Sequence, residues 1–183
     1  MRIVKGKFAG RHLTSPADMR VRPTKEAVRD ALLTMLEPDL KGIRVLDLFA
    51  GTGALGLEAI SRGAKFADFV EFRPASLHAL KANVAALHLL DRTRIFKKDA
   101  VPWTAMLEPF RYDLAFVDPP YESRVLDRIL DMWRAKPFAR ILAVEHATSH
   151  AIPNGARRKV FGDSTVTIYK AANSERRTAN SEQ

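Results

Sequence analysis

The sequence predicts an α/β fold built on a mostly parallel sheet, and three observations carry that expectation. From Gly42 onward, apolar strand-like runs alternate with helix-like stretches, the pattern of βαβ units whose strands are buried on both faces. A glycine-rich turn, "DLFAGTGALG", stands between the first of these strands and its helix. The last two strand-like runs follow one another with no helix between them, which calls for an antiparallel hairpin at the end.

Residues 43–49, "IRVLDLF", read as the first strand, and 54–63, "ALGLEAISRG", as a helix that Gly63 stops. A second strand is expected over 66–72, followed by a helix over 74–89. "TRIFKKDA" (93–100) gives the third strand, with a short helix over 102–107. "YDLAFVD" (112–118) gives the fourth, with its helix over 124–135, and 139–147 the fifth. "RRKVFG", a Gly162-Asp163-Ser164 turn and "TVTIYK" make the closing hairpin. Ahead of the sheet, residues 1–22 read as a basic arm, a short hairpin or irregular ribbon interrupted by Gly6 and Gly10. Pro23 and Thr24 introduce a helix with Thr24 as its cap. Its buried stripe is expected at Ala27, Val28, Ala31, Leu32, Met35 and Leu36, and Pro38 ends it. The expected organisation is therefore a basic arm (1–22), an α/β domain (23–170) and a small, polar, disordered tail (171–183).

With 183 residues, 46% of them hydrophobic, the chain can bury a sizeable core in one domain. It has no cysteine, which excludes disulfides, thiolate zinc sites and a cysteine nucleophile, and fits a reducing cytoplasm. No apolar run approaches the roughly 18 residues that cross a bilayer, so no membrane partner is expected. The five histidines are scattered without ligand spacing, so no metal is expected either. The charge points elsewhere. Thirty Lys and Arg against twenty-one Asp and Glu give a net +9, which favours polyanionic partners, nucleic acid first. Arg2, Lys5, Lys7, Arg11, Arg20 and Arg22 crowd the arm, with only Asp18 opposing them; these are the candidate RNA-binding residues.

Gly51, Gly53 and Gly56 spell GxGxxG, and Glu71 stands twenty residues after Gly51 at the end of the second strand. That spacing suits a nucleoside-containing cofactor, with the acid accepting hydrogen bonds from ribose hydroxyls. Asp47, four residues before Gly51, separates two cofactors. A carboxylate there would repel a pyrophosphate but stabilise the sulfonium and ammonium of S-adenosylmethionine. S-adenosylmethionine is thus favoured over NAD. The candidate donor-binding residues are Asp47, Phe49, Ala50, Gly51, Thr52, Gly53, Glu71 and Phe72. Asp99 joins them at the end of the third strand, as an acceptor for the adenine amino group, with Ala100 beside it. His78 and Asn83 read as helix-surface residues.

The fourth strand ends in Asp118-Pro119-Pro120-Tyr121. In a doubly wound sheet this places it beside the glycine loop, beyond the carboxyl ends of the strands. Methylating an exocyclic amine requires the nitrogen to be held in line with the sulfonium methyl, at roughly 3 to 3.5 Å. The Asp118 carboxylate and the Pro119 carbonyl can accept from the amine hydrogens, the two prolines keep those acceptors rigid, and Tyr121 offers a ring on which a flipped base stacks. Asp118, Pro119, Pro120 and Tyr121 are the candidate catalytic residues.

"DLFAGTGALGLEA" and "FVDPPY", together with "GRHL" and "RPTKEAVRD", resemble the RsmD family of bacterial 16S rRNA guanine-N2 methyltransferases over residues 1–170. DPPY alone is shared with adenine-N6 DNA methylases; its combination with the two N-terminal segments is far more specific. The resemblance implies the Rossmann-like class I S-adenosylmethionine-dependent methyltransferase fold, seven strands with a terminal antiparallel hairpin and a small basic N-terminal extension. It implies methyl transfer to the N2 amine of one guanine, with 16S rRNA or the assembling small ribosomal subunit as partner. Asp47, Gly51 and Gly53 would then line the methionine side and Glu71 the ribose, Asp118 to Tyr121 would hold the guanine, and Arg11, Arg22 and their neighbours the RNA backbone. Thr24 and Arg29 match the family's RPT helix and would support the methionine end. One departure stands out: Glu71-Phe72-Arg73 carries Arg73 where the family often has a second acid. The alternatives are an adenine-N6 DNA methyltransferase, disfavoured because no room is left for a target-recognition domain, and a non-catalytic RNA-binding or ribosome-assembly module. A monomer is expected.

Overall fold

The structure, a computed structural model, describes residues 1–16, 26–119 and 124–172. Arg20, Arg22, Thr24, Pro120, Tyr121 and nearly all of the tail lie outside the described residues.

Seven strands form one sheet: β1 (Arg44–Leu48), β2 (Phe66–Glu71), β3 (Thr93–Lys97), β4 (Tyr112–Val117), β5 (Ala139–Ala147), β6 (Arg157–Phe161) and β7 (Ser164–Lys170). Their order is β3-β2-β1-β4-β5-β7-β6. The first five strands pair in parallel, and β7 runs antiparallel to both β5 and β6. The chain steps outward from β1 to β3 and then returns to the other side of β1 with β4. The reversal of strand order therefore falls between β1 and β4, where doubly wound sheets open a crevice for ligands.

Helices α1 (Glu26–Leu36), α2 (Ala54–Ser61), α3 (Pro74–Ala86), α4 (Ala100–Ala105) and α5 (Val125–Ala135) cover the sheet. The period of two along the strands divides the core. Val45, Phe69, Leu114 and Phe116 pack with Leu32, Leu57 and Leu80 of α1, α2 and α3. Leu46, Leu48, Val70 and Val117 pack on the other face with Ala100 of α4 and Leu126, Ile129 and Trp133 of α5. On that second face Asp68 is fully buried. Arg94, its register partner on β3, grips it through two 2.9 Å hydrogen bonds, and the Tyr112 hydroxyl donates to it at 2.7 Å. Burial and this bond to a carboxylate push the Tyr112 phenol well up.

The N-terminal ribbon is part of this core. Arg2 and His12 bridge antiparallel, Ile3 and Leu13 are buried in the α1–α3 cluster, and Gly6 turns the chain at φ +86°. A Cβ at Gly6 would lie 2.0 Å from the Ser61 carbonyl oxygen, which takes the Lys7 N–H instead. Beneath the ribbon lies a buried ion cluster. Glu58 of α2 accepts from Arg29 at 2.7 Å, from Arg62 at 2.5 Å and from the Val4 and Lys5 N–H groups at 3.2 and 3.3 Å. Arg29 also donates to the Arg2 carbonyl at 2.6 Å.

Three expectations are corrected here. The inward stripe of α1 is Val28, Arg29, Leu32, Leu33 and Leu36, with Ala27 exposed, because the helix turns Arg29 inward to meet Glu58. Helix α4 starts at Ala100 rather than residue 102, since Asp99 serves as its N-cap and accepts from the Val101 N–H at 3.0 Å. Asn83 is 2% exposed rather than on the helix surface; His78 does face solvent.

Candidate active site

Leu48 pairs with Val70 on one side and Val117 on the other. The next residues, Glu71, Phe49 and Asp118, therefore come level at the carboxyl ends of β2, β1 and β4. Asp47 lies two residues below Phe49, and its side chain takes the α2 face, where Oδ2 accepts from the Gly56 N–H at 2.9 Å. It is 2% exposed. Burial pushes its carboxyl well above the usual range, and the charges of Asp118 and Glu71 add to the rise against the Gly56 bond. Asp118 and Glu71 are thus both close enough to act on the Asp47 carboxyl.

Glu71 shapes the loop. Its Oε2 accepts from the Gly51 N–H at 2.9 Å, and Oε1 accepts from the Phe72 and Arg73 N–H groups at 2.8 Å. A carboxylate offers about four acceptor positions, so one on Oε2 remains for a hydroxyl. Beside it Phe72 is 52% exposed, an apolar ring presented to solvent where β2 ends. Arg73 enters this site through its backbone, as the residue before α3.

The loop backbone is unusual from its first residue. Phe49 sits at φ +62°, Gly51 at +55° and Gly53 at +81°. A positive φ on a phenylalanine is costly and marks a segment held by its surroundings. Gly53 starts α2, and a Cβ there would come 2.4 Å from Leu80 Cδ1. Gly56 lets α2 approach β2, since its Cβ would lie 2.5 Å from the Phe69 ring. Gly53→Ala combines the left-handed strain with overpacking and is expected to destabilise the fold by about 2–4 kcal/mol, read by denaturant unfolding. An unchanged midpoint would contradict the close packing.

Asp118 is half-buried and Pro119 buried; Pro120 and Tyr121 lie outside the described residues. Asp99 is exposed with Ala100 buried beneath it, its carboxylate already partly used as the α4 cap. The structure thus brings Asp47, Phe49 to Gly53, Glu71, Phe72 and Asp118 to one end of the sheet. In the ribbon, Arg2, Lys5, Lys7 and Arg11 are exposed. Arg2 pairs with Glu26 at 3.5 Å, Lys5 with Asp30 at 3.2 Å, and Arg11 donates to the Ala86 carbonyl at 2.9 Å.

A family model described as conserved hypothetical protein 95 matches residues 1–170. Ribosomal RNA small subunit methyltransferase D of Escherichia coli strain K12 is 31% identical over 181 residues, covering 93% of this chain and 89% of that protein. The chain belongs to the RsmD family of methyltransferases. Solved structures agree. The Escherichia coli protein yhhF superposes with a TM-score of 0.80 at 30% identity, over 93% of this chain and 97% of that one. A Salinibacter ruber RNA methyltransferase, crystallised with S-adenosyl-L-homocysteine, shares the fold with a TM-score of 0.65 at 14% identity, over 81% and 93% of the two chains. The fold is that of the class I methyltransferases, with the closing antiparallel β6–β7 hairpin that the sequence predicted.

Sequence reasoning missed Asn83, Glu58 and Arg62. Asn83 carried a signal: it falls three residues after Leu80 and beside Val84, inside the apolar stripe of α3, where an amide must have a polar partner to be tolerated. Glu58 had one too, as the acid in a helix whose eight residues are all buried.

Asp47 gives a testable pH dependence. A carboxyl whose folded pKa lies above the unfolded value near 3.9 stabilises the fold below that value. This contribution is lost as pH rises through the folded pKa. Asp47→Asn keeps the acceptor for Gly56 and removes the buried charge. The expected outcome is a higher Tm than wild type at pH 7 to 8, by roughly 2–4 °C for each kcal/mol relieved, with the gap closing toward pH 4. A lower Tm throughout would mean that the charge stabilises the fold.

Proposed function

We propose that this protein transfers the methyl group of S-adenosylmethionine to the exocyclic N2 amine of a guanine in 16S rRNA of the small ribosomal subunit. The observation that carries the reading is the ring of carboxylates, Asp47, Glu71 and Asp118, at the β1/β4 switch point. Acids gathered at one end of the sheet favour a cationic ligand, and S-adenosylmethionine supplies both an ammonium and a sulfonium. Asp47 and the backbone of Ala50 to Gly53 would hold its methionine end, Glu71 its ribose hydroxyls, and Phe72, Asp99 and Ala100 its adenine. Membership of the RsmD family and the name of the Escherichia coli relative support rRNA as the acceptor.

Asp118 and the Pro119 carbonyl accept from the two amine hydrogens and aim the nitrogen lone pair at the methyl carbon. Bound S-adenosylmethionine would supply the methyl group to that nitrogen, the electron pair of its C–S bond passing to sulfur so that S-adenosylhomocysteine would be the product. Positive charge develops on nitrogen and is stabilised by Asp118 until the extra proton leaves to solvent. The flipped guanine would stack on Tyr121, and Arg2, Lys5, Lys7, Arg11, Arg20 and Arg22 would hold phosphates. The arm (1–22), the catalytic domain (23–170) and the tail (171–183) would divide the work accordingly.

The test is transfer of radiolabelled methyl from S-adenosylmethionine to unmodified 16S rRNA or small subunits, with the label mapped to N2-methylguanine. Label on duplex DNA adenine and none on rRNA would establish the adenine-N6 alternative instead.

A further inference from the structure

Both ends of the N-terminal ribbon converge on the middle residue of the glycine loop. The Met1 thioether sulfur lies 4.0 Å from the Thr52 hydroxyl, and the Met1 carbonyl accepts from the Leu13 N–H, tying the ribbon's two ends together. At the next residue the ribbon reaches Asn83. The Thr14 N–H donates to Asn83 Oδ1 at 2.7 Å, while Asn83 Nδ2 donates to the Thr14 carbonyl and to the Thr52 carbonyl, each at 3.0 Å. One buried amide thus pairs with both backbone groups of Thr14, as a neighbouring strand would, and holds Thr52 from behind.

No other side chain of this length does the same. Asp lacks the two donors and Leu lacks all three groups. Asn is also a poor helix former, so its place in the buried stripe of α3 is explained by these bonds. Glu71 pins Gly51 on one side of the loop and Asn83 pins Thr52 on the other. The ribbon and the donor loop therefore share one support.

We propose that Asn83 is a positioning residue that couples the ribbon to the glycine loop, so that RNA held by the ribbon and donor held by the loop tighten each other's binding. The proposal rests on the reading that the ribbon contacts RNA and the loop binds S-adenosylmethionine. Each ligand orders one end of the linkage, and the second to arrive orders less. Such coupling is reciprocal.

Titration of S-adenosylhomocysteine into the full-length protein, with and without a saturating 16S rRNA transcript, measures it. For wild type the transcript is expected to lower the dissociation constant at least about fivefold. In Asn83→Ala the factor falls toward one. Thr14→Pro, at an exposed position, removes the Thr14 N–H that Asn83 Oδ1 accepts, together with the threonine side chain and the freedom of φ. It is expected to reduce the factor and lower the Tm modestly while preserving the circular dichroism spectrum, which covers the case in which Asn83→Ala does not fold. The same factor in wild type and variants would overturn the proposal, as would a wild type that binds both ligands without coupling. If wild type binds no S-adenosylhomocysteine, the methyltransferase reading itself falls, and this proposal with it.

Discussion

Asp118→Ala is expected to lower the rate of methyl transfer to 16S rRNA by about 10²–10³-fold while changing the dissociation constant for S-adenosylmethionine little. The magnitude is that of removing one preorganised group from developing charge. The asymmetry follows from placement. Glu71 contacts the glycine loop directly and Asp47 the start of the helix that follows it, whereas Asp118 stands across β1 from Glu71, on the strand on the far side of the switch point. Asp118→Asn separates charge from acceptor: its carbonyl still accepts one amine hydrogen, so a smaller loss than in Asp118→Ala assigns part of the effect to orientation. The two variants, compared in kcat at saturating S-adenosylmethionine, decide it. A rate for Asp118→Ala within threefold of wild type would remove Asp118 from the chemistry.

The centre of the sheet was legible because β1, β2 and β4 are buried on both faces. "IRVLDLF" and "YDLAFV" have no polar alternation to confuse with an amphipathic helix, and the glycines between strand and helix announce the turn. The ends of β1, β2, β4 and β5 shifted by a residue at most, since pairing stops where the loop backbone turns, as at Phe49, whereas the third strand, expected to run to residue 100, stops at Lys97. Helix starts were less legible. Whether "DAVPW" begins at Asp99 or Pro102 depends on one side chain folding back to the Val101 N–H, and a pattern of apolar residues does not record that.

For the site, the residues named by motif were those whose backbone or charge faces a ligand, namely Asp47, the glycine loop, Glu71 and Asp118. What sequence could not supply was the support behind them. Asn83 and Glu58 act through partners 69 and up to 54 positions away, and one-dimensional spacing carries nothing about such contacts. The basic arm shows the same gap. Its charge was readable, but Ile3 and Leu13 as core residues, and the pairing of Arg2, Lys5 and Arg11 back onto the domain, follow only from docking.

That docking depends on Glu58. Glu58→Ala is expected to destabilise the protein by about 3–5 kcal/mol, because it removes the buried carboxylate that Arg29 and Arg62 share, although Arg62 keeps its pairing with Asp30 at 2.9 Å. Arg29 and Glu58 side chains are 0% exposed and that of Arg62 is 1% exposed, so water cannot replace the lost carboxylate. The Val4 and Lys5 N–H groups lose their acceptor in the same step, which adds a local consequence to the global one. The ribbon should loosen before the sheet does, exposing Lys5, Lys7 and Arg11 to trypsin in a protein that still shows native circular dichroism. Glu58→Gln keeps an oxygen for the ribbon N–H groups but not the charge, so its Tm should fall between those of wild type and Glu58→Ala. A surface pair supplies the control: Glu108 and Lys136 meet at 3.8 Å with side chains 81% and 48% exposed, and Glu108→Ala should leave the Tm unchanged. If Glu58→Ala melts with wild type and resists trypsin equally, the buried cluster does not hold the ribbon, and its attachment rests on its other contacts, Ile3 and Leu13 in the core and the hydrogen bonds to Ser61 and Asn83 among them.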